Sequence, residues 1–254
     1  MSERLPDFLI GGAPRSGTTW LYELLAHHPQ VYMAVPVKPE PKFFLVDEIY
    51  QKGIHYYERK WFSNTPDQQL AGEKSTNYLE SPRAAERIHQ HLPRAKLLFI
   101  LREPADRAYS NYLWSSMNGL ESEDFETALD LEQQRERDVP EQLRYARPHA
   151  YFSRGLYAQL LQPYFKHFPR EQILCLRYED IMTKPQELAR SLYEFLEISV
   201  QKEKAASLGV SNPSRKNGTP LSAESLRMLQ DRYAQPNHEL EKLLGPEFQM
   251  WETS

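Results

Sequence analysis

A short apolar run ending in glycine, Phe8–Gly12, leads directly into Ala13-Pro14-Arg15-Ser16-Gly17-Thr18-Thr19, and Trp20, Leu21, Leu24 and Leu25 follow at helical spacing. The run reads as a buried strand and the repeat after it as a helix over residues 18–26. A strand that enters a helix through a glycine-rich turn leaves few options. It opens a parallel sheet and aims backbone N–H groups at whatever lies beyond the strand's end. Glycine lets the turn be tight and lets an anion approach the backbone. The helix start adds unpaired N–H groups and the positive end of its dipole. Thr18 and Thr19 add hydroxyl donors. The loop that grips nucleoside triphosphates reads G-x-x-x-x-G-K-[ST]. Gly12 and Gly17 keep that spacing, but Thr18 stands at the lysine position and the cation has moved inside the loop as Arg15.

The remaining periodicities repeat the pattern. Lys96–Leu101 (KLLFIL) is a second buried strand, with a helix from Pro104 to about Trp114. Ser81-Pro82 is a helix start, serine as cap and proline in the first turn, for a helix running to about His91. Residues 153–168 and 180–196 carry apolar residues at helical spacing, and residues 172–176 form a third strand around Cys175. Strands alternating with helices make an α/β domain with a central parallel sheet covered on both faces. Ligands in such folds bind beyond the carboxyl ends of the strands. Length and the lack of repeats or linkers fit one domain over residues 1–254.

Composition removes several classes. The formal net charge of −4 argues against a surface built to wrap a polyanion, and acids outnumber bases in Glu121–Glu141, so nucleic acid is not an expected partner. Glu121–Glu141 reads as a solvated helix. No apolar run is long enough to span a bilayer. The histidines do not have metal-ligand spacing, and no metal site is expected. One cysteine, Cys175, excludes an intrachain disulfide; with the short polar N-terminus Met1–Asp7 it points to the cytoplasm. Oligomeric state is not legible.

Three further segments carry groups suited to an anion site. Arg102 ends the KLLFIL strand, where a guanidinium can grip a phosphate with two parallel hydrogen bonds, and Ser110 can add a third from the following helix. Gly72-Glu73-Lys74-Ser75-Thr76-Asn77-Tyr78 offers a carboxylate, Glu73, for general-base work. Asn212–Pro220 is a polar, basic loop before a helix capped by Ser222, a good anion lid.

The run Ala-Pro-Arg-Ser-Gly-Thr-Thr-Trp-Leu resembles the 5′-phosphosulfate loop of sulfotransferases that use 3′-phosphoadenosine 5′-phosphosulfate (PAPS). R-x-P-x-x-R-x-x-S-x-Y, from Arg102 to Tyr112, resembles their 3′-phosphate segment. Gly72–Tyr78 resembles the segment carrying the catalytic glutamate in the heparan-sulfate type, and Pro36–Phe44 resembles its K-E-P-H-F-F segment near the reacting centre. Here an extra proline separates Lys38 from Glu40, and Lys42 stands where histidine is usual. The resemblance runs from about Phe8 to Leu244 and implies a P-loop-type fold. It implies a transferase moving a sulfuryl group from PAPS to a hydroxyl or amine of a small-molecule, glycan or glycolipid acceptor, without a metal, leaving 3′-phosphoadenosine 5′-phosphate. It assigns Pro14, Arg15, Ser16, Gly17, Thr18, Thr19, Arg102, Ser110 and the lid residues Arg215, Lys216, Asn217 and Gly218 to the donor. Glu73 is then the base, Arg15 stabilises the leaving phosphate, and Lys38, Lys42, Tyr78 and Tyr157 line the acceptor side. Arg107 is expected to be structural. Two other classes fit parts of the pattern: an ATP-dependent small-molecule kinase, and a non-catalytic nucleotide-binding protein in which Glu73 is only structural.

Overall fold

The computed structural model describes residues 4–66, 69–140, 145–201 and 221–251. Its sheet is parallel throughout. β1 (Phe8–Gly12), β2 (Val31–Met33), β3 (Leu70–Lys74), β4 (Lys96–Leu101) and β5 (Ile173–Arg177) lie in the order β2-β3-β1-β4-β5. The helices are α1 (Thr18–Ala26), α2 (Asp47–Tyr50), α3 (Ile54–Trp61), α4 (Pro82–His91), α5 (Pro104–Met117), α6 (Phe125–Asp138), α7 (Tyr157–His167), α8 (Asp180–Thr183), α9 (Pro185–Leu196) and α10 (Ala223–Leu244). The chain divides into two compact units, Met1–Leu101 with Leu161–Val210, and Arg102–Leu160 with Ser211–Ser254.

The first unit holds the sheet. Every residue of β1 is buried, as expected for a strand covered on both faces. Phe8, Ile10, Leu98 and Ile100 point to one face and pack with Trp20, Leu21, Leu24 and Leu25 of α1 and Leu188, Leu192 and Leu196 of α9. Phe99, between Leu98 and Ile100, points to the other face and meets Tyr164 of α7 edge-on at 4.9 Å. Burying each such side chain is worth about 1.5–3 kcal/mol. β3 pairs with β1 in the register Phe8↔Gly72, Leu9↔Glu73, Ile10↔Lys74. A Cβ on Gly72 would lie 2.1 Å from Phe8 Cζ, so only glycine lets the Phe8 ring cross β3 there. Ser81 caps α4, its Oγ accepting from Ala84 N–H at 3.1 Å.

Residues 180–196, read as one helix, form two. Proline disfavours the helical conformation in the residue before it, and Lys184 ahead of Pro185 sits at φ −143°, ψ 47°. Residues 153–168 likewise split into a 3-10 turn, Ser153–Gly155, and α7.

The second unit packs α5, α6 and α10 around Ala105, Ala108, Phe125, Ala128, Leu129, Leu229 and Tyr233. Gly155 sits under Tyr233, whose hydroxyl would be 2.6 Å from an added Cβ. The stretch read as a solvated helix is only partly so. α6 starts at Asp124, which caps it, and buries Glu132, whose carboxylate accepts the Phe152 and Ser153 N–H groups at 2.6 and 2.9 Å. Ser222 caps α10 as expected, accepting from Ser225 N–H at 3.0 Å. No helix among the described residues is long and apolar enough to cross a membrane, and no group of three or more His, Cys, Asp or Glu side chains there could hold a metal ion.

Candidate active site

In the first unit the phosphate loop takes the shape its sequence requires. Arg15 and Gly17 have φ of 68° and 88°, the left-handed region. A Cβ on Gly17 would stand 2.6 Å from Ile181 Cδ1, so glycine is demanded by space as well as by backbone. Gly17 is the N-cap of α1 and brings no side chain to cap it. Ser16 is fully buried, and its Oγ has no hydrogen-bond partner. A buried hydroxyl without a partner is costly and rare, and here it lies inside the glycine-rich turn, as expected of a group that meets its partner in a ligand. Thr18, at the helix start, is 5% exposed.

The other carboxyl-end strands deliver the ionisable groups. Glu73 and Lys74 close β3, and as strand neighbours they point to opposite faces. Lys74, buried, pairs with Glu40 of the proline-rich loop. The Glu40 carboxylate also accepts the Thr76 N–H at 3.1 Å and the Thr76 hydroxyl at 3.1 and 3.2 Å. Thr76 in turn touches the phosphate loop's entry, since its carbonyl oxygen would lie 3.1 Å from a Cβ on Gly12. Glu40 is therefore held one residue away from the start of the phosphate loop, with 12% of its side chain exposed.

Glu73 stands differently. None of its surface is exposed, and burial pushes its carboxyl up to about 8, against partial compensation from Tyr78, Tyr57 and Ser75. Its Oε2 accepts from the Ser75 hydroxyl at 3.2 Å. Its Oε1 is buried without a hydrogen-bond partner, as is Ser16 Oγ in the phosphate loop. Glu40 is a second carboxylate near the loop that the sequence did not single out: a lone glutamate between prolines, with its lysine partner 34 residues away.

The proline-rich loop is anchored. Lys42, half-buried at φ 48°, donates its N–H to Ser75 Oγ at 2.9 Å, and Phe44 donates its N–H to Tyr78 Oη at 3.3 Å. Lys38 is exposed. Tyr78, expected to line the acceptor side, is fully buried, and its carbonyl accepts from the Tyr164 hydroxyl at 2.5 Å. It supports the loop from beneath.

In the second unit, Arg102 follows β4 directly and is 1% exposed. The Tyr157 hydroxyl donates to its carbonyl at 2.9 Å. Tyr157 is thus a buried brace of Arg102's backbone. The Arg102 guanidinium approaches Asp106 at 3.4 Å. Asp106 and Ser110 are four residues apart on α5 and share one of its faces, so Arg102 and Ser110 address the same side of that helix. Arg107 is fully buried and donates to the Tyr151 carbonyl, a structural role as expected. Arg215, Lys216, Asn217 and Gly218, expected to form the lid, lie outside the described residues.

Known proteins carry the same architecture. A family model described as the sulfotransferase domain matches residues 5–212. Heparan sulfate glucosamine 3-O-sulfotransferase 3A1 of Mus musculus is 31% identical over 195 residues, covering 77% of this chain and 46% of that protein. The Homo sapiens bifunctional heparan sulfate N-deacetylase/N-sulfotransferase 3 is 27% identical over 274 residues, covering 95% of this chain and 30% of that protein. The chain spans about half or less of the length of the curated relatives it matches. Among solved structures, a sulfotransferase from Alicyclobacillus acidocaldarius superposes with a TM-score of 0.78 at 28% identity, covering 95% of this chain and 96% of that one. The fold is shared by a mouse sulfotransferase complexed with PAP, with a TM-score of 0.61 at 16% identity over 96% of this chain and 88% of that one.

Proposed function

The chain belongs to the sulfotransferase domain family, and from that premise we propose that it transfers a sulfuryl group from PAPS to a hydroxyl or amine, with Glu73 as the general base. The observation that carries this reading is a pair of buried oxygens without hydrogen-bond partners at the carboxyl ends of the neighbouring strands β1 and β3, Ser16 Oγ in the phosphate loop and Glu73 Oε1.

The residues present fit the donor. Ser16 Oγ, the N–H groups of Gly17, Thr18 and Thr19, and the Arg15 guanidinium would hold the 5′-phosphate end, with Pro14 shaping the turn. Arg102 and Ser110 would hold the 3′-phosphate, a group ATP lacks. PAPS, when bound, supplies the sulfuryl group and departs as 3′-phosphoadenosine 5′-phosphate. Arg15 and the loop N–H groups then face the negative charge that grows on the leaving phosphate oxygen, an interaction stronger in the transition state than before it. Glu73 takes the proton from the acceptor's O–H or N–H as the new bond to sulfur forms, a step typically worth about 10²–10⁴-fold. Lys74, on the opposite face of β3, fixes the direction of the Glu40 carboxylate. Lys42 and Lys38, on the same loop, are the candidates to meet the acceptor.

The chain passes between its two units three times, and the family match spans residues from both, which favours reading them as one catalytic domain. The names of the relatives favour a carbohydrate acceptor carrying a glucosamine-type hydroxyl or amine. With one cysteine and hence no intrachain disulfide, a reducing compartment such as the cytoplasm suits the chain. An ATP-dependent kinase is not favoured, because Thr18 replaces the phosphate-binding lysine of that loop.

The test is transfer of radioactive sulfur from labelled PAPS to a panel of glucosaminides, simple alcohols and amines. Labelled product formed without magnesium supports the reading. Phosphorylated product from magnesium-ATP, with none from PAPS, would overturn it.

A further inference from the structure

A guanidinium keeps its charge at every working pH, so a buried one needs a counter-charge or a full set of acceptors. In the second unit, Arg107 of α5 has no exposed surface. Its Nη2 donates to the Tyr151 carbonyl. Its Nε and Nη1 are buried without a hydrogen-bond partner. Asn111 follows one helical turn later on the same face and is 1% exposed. Its Oδ1 accepts from Arg154 Nη1 at 3.0 Å, while its Nδ2 is buried without a partner. Arg154, 4% exposed, also donates through Nη2 to the Ala146 carbonyl at 2.7 Å. Two buried positive charges thus meet three unpartnered nitrogens, and all three nitrogens are donors.

The surrounding carboxylates are engaged elsewhere. Glu103, one turn before Arg107, caps α5 by accepting the Asp106 N–H at 2.6 Å. Glu132 accepts the Phe152 and Ser153 N–H groups, and Glu121 holds Arg135 and the Tyr151 hydroxyl at 2.7 Å. Among the described residues none of them forms an ion pair with Arg107. A water molecule does not resolve this arrangement, because it needs acceptors for its own two protons and brings no charge. A small anion accepts from several donors and supplies the counter-charge. A multiply charged anion would place excess negative charge next to Glu103 and Glu132, so the arrangement selects a monovalent one. We propose that Arg107 and Asn111, with Arg154 as a second positive charge, form a buried site for one halide ion, which ties α5 to residues 146–154. The site is separate from the donor groups: Asp106 and Ser110, which share Arg102's side of α5, lie about 100° around the helix from Arg107 and Asn111.

The test is urea unfolding at neutral pH in sodium chloride against sodium gluconate, at constant ionic strength, for the wild-type protein and Asn111→Asp. A single halide bound only by the folded chain lowers the unfolding constant by about tenfold for each tenfold rise in chloride beyond the dissociation constant, and gluconate has no such effect. Asn111→Asp keeps the oxygen that holds Arg154 and exchanges Nδ2 for a carboxylate oxygen, so the side chain itself supplies the anion. This variant should lose the chloride dependence and, without chloride, be at least as stable as the wild type. Crystals of the wild-type protein soaked in bromide should show an anomalous peak in contact with Arg107 and Asn111, absent in Asn111→Asp. Unfolding that does not distinguish chloride from gluconate would overturn the proposal, as would a missing bromide peak or a chloride dependence that survives Asn111→Asp. None of these readouts involves the nucleotide or turnover, so they stand apart from the reading of sulfuryl transfer.

Discussion

Replacing Glu73 by glutamine should stabilise the protein increasingly as pH rises. The folded state holds the Glu73 proton up to about pH 8, whereas the ordinary carboxyl releases it near 4.5. Below pH 4.5 both folded and unfolded chains are protonated there, and the full stability is present. Between 4.5 and 8 the unfolded chain releases the proton while the folded one keeps it, so stability falls; above 8 the loss levels off. At about 1.4 kcal/mol per pH unit, the loss is roughly 3 kcal/mol at pH 7 and approaches about 5 kcal/mol above pH 8, an upper bound. Glutamine has the same shape and no proton to release, so the variant escapes this loss. Its amide brings a pH-independent offset against Ser75, Tyr57 and Tyr78. Only the growth of the difference with pH reports on the carboxyl. Urea unfolding of both proteins at pH 4.5, 7 and 9 measures it, with the slope expected to stay constant. Two curves that run parallel from pH 4.5 to 9 would refute the burial argument.

Three further outcomes follow from the site. Ser16→Ala removes a buried Oγ that has no partner in the free protein, so unfolding free energy should change by less than about 0.5 kcal/mol; affinity for 3′-phosphoadenosine 5′-phosphate should fall by about tenfold or more, the order for a hydrogen bond to a charged group. Glu73→Gln should lower single-turnover rates by about 10²–10⁴-fold, with product-nucleotide affinity, read by calorimetry, unchanged. Arg15→Ala should lose most of the single-turnover rate and Arg15→Lys should keep a substantial part of it, since lysine retains the charge but not the two-pronged grip.

The sequence reveals those parts of the fold that local chemistry decides. β1, β4 and α1 announce themselves by apolar runs and helical spacing, and α4 by Ser81-Pro82. β3 hides because its five residues, Leu-Ala-Gly-Glu-Lys, include one glycine and two charges; it is a central strand only because Phe8 needs Gly72 and because Glu40 neutralises Lys74. β2, three residues long, leaves too short a pattern to read. The phosphate loop was legible for the opposite reason, since left-handed backbone and anion binding both demand a fixed spacing of small residues. The setting of Glu73 was not. Glu73 sits in a suggestive motif, but its full burial, its raised carboxyl and its Oε1 without a partner are properties of the folded sheet that no motif spells out. The burial of Tyr78 and Tyr157 is equally a property of the packing around them.

The most direct test of the account is calorimetric titration of 3′-phosphoadenosine 5′-phosphate, ADP and ATP, without magnesium, into the wild-type protein and Arg102→Ala. The account expects 3′-phosphoadenosine 5′-phosphate to bind much more tightly than either nucleotide lacking the 3′-phosphate, and Arg102→Ala to erase that preference. Equal or tighter binding of ATP, or a preference that survives the loss of Arg102, would contradict it.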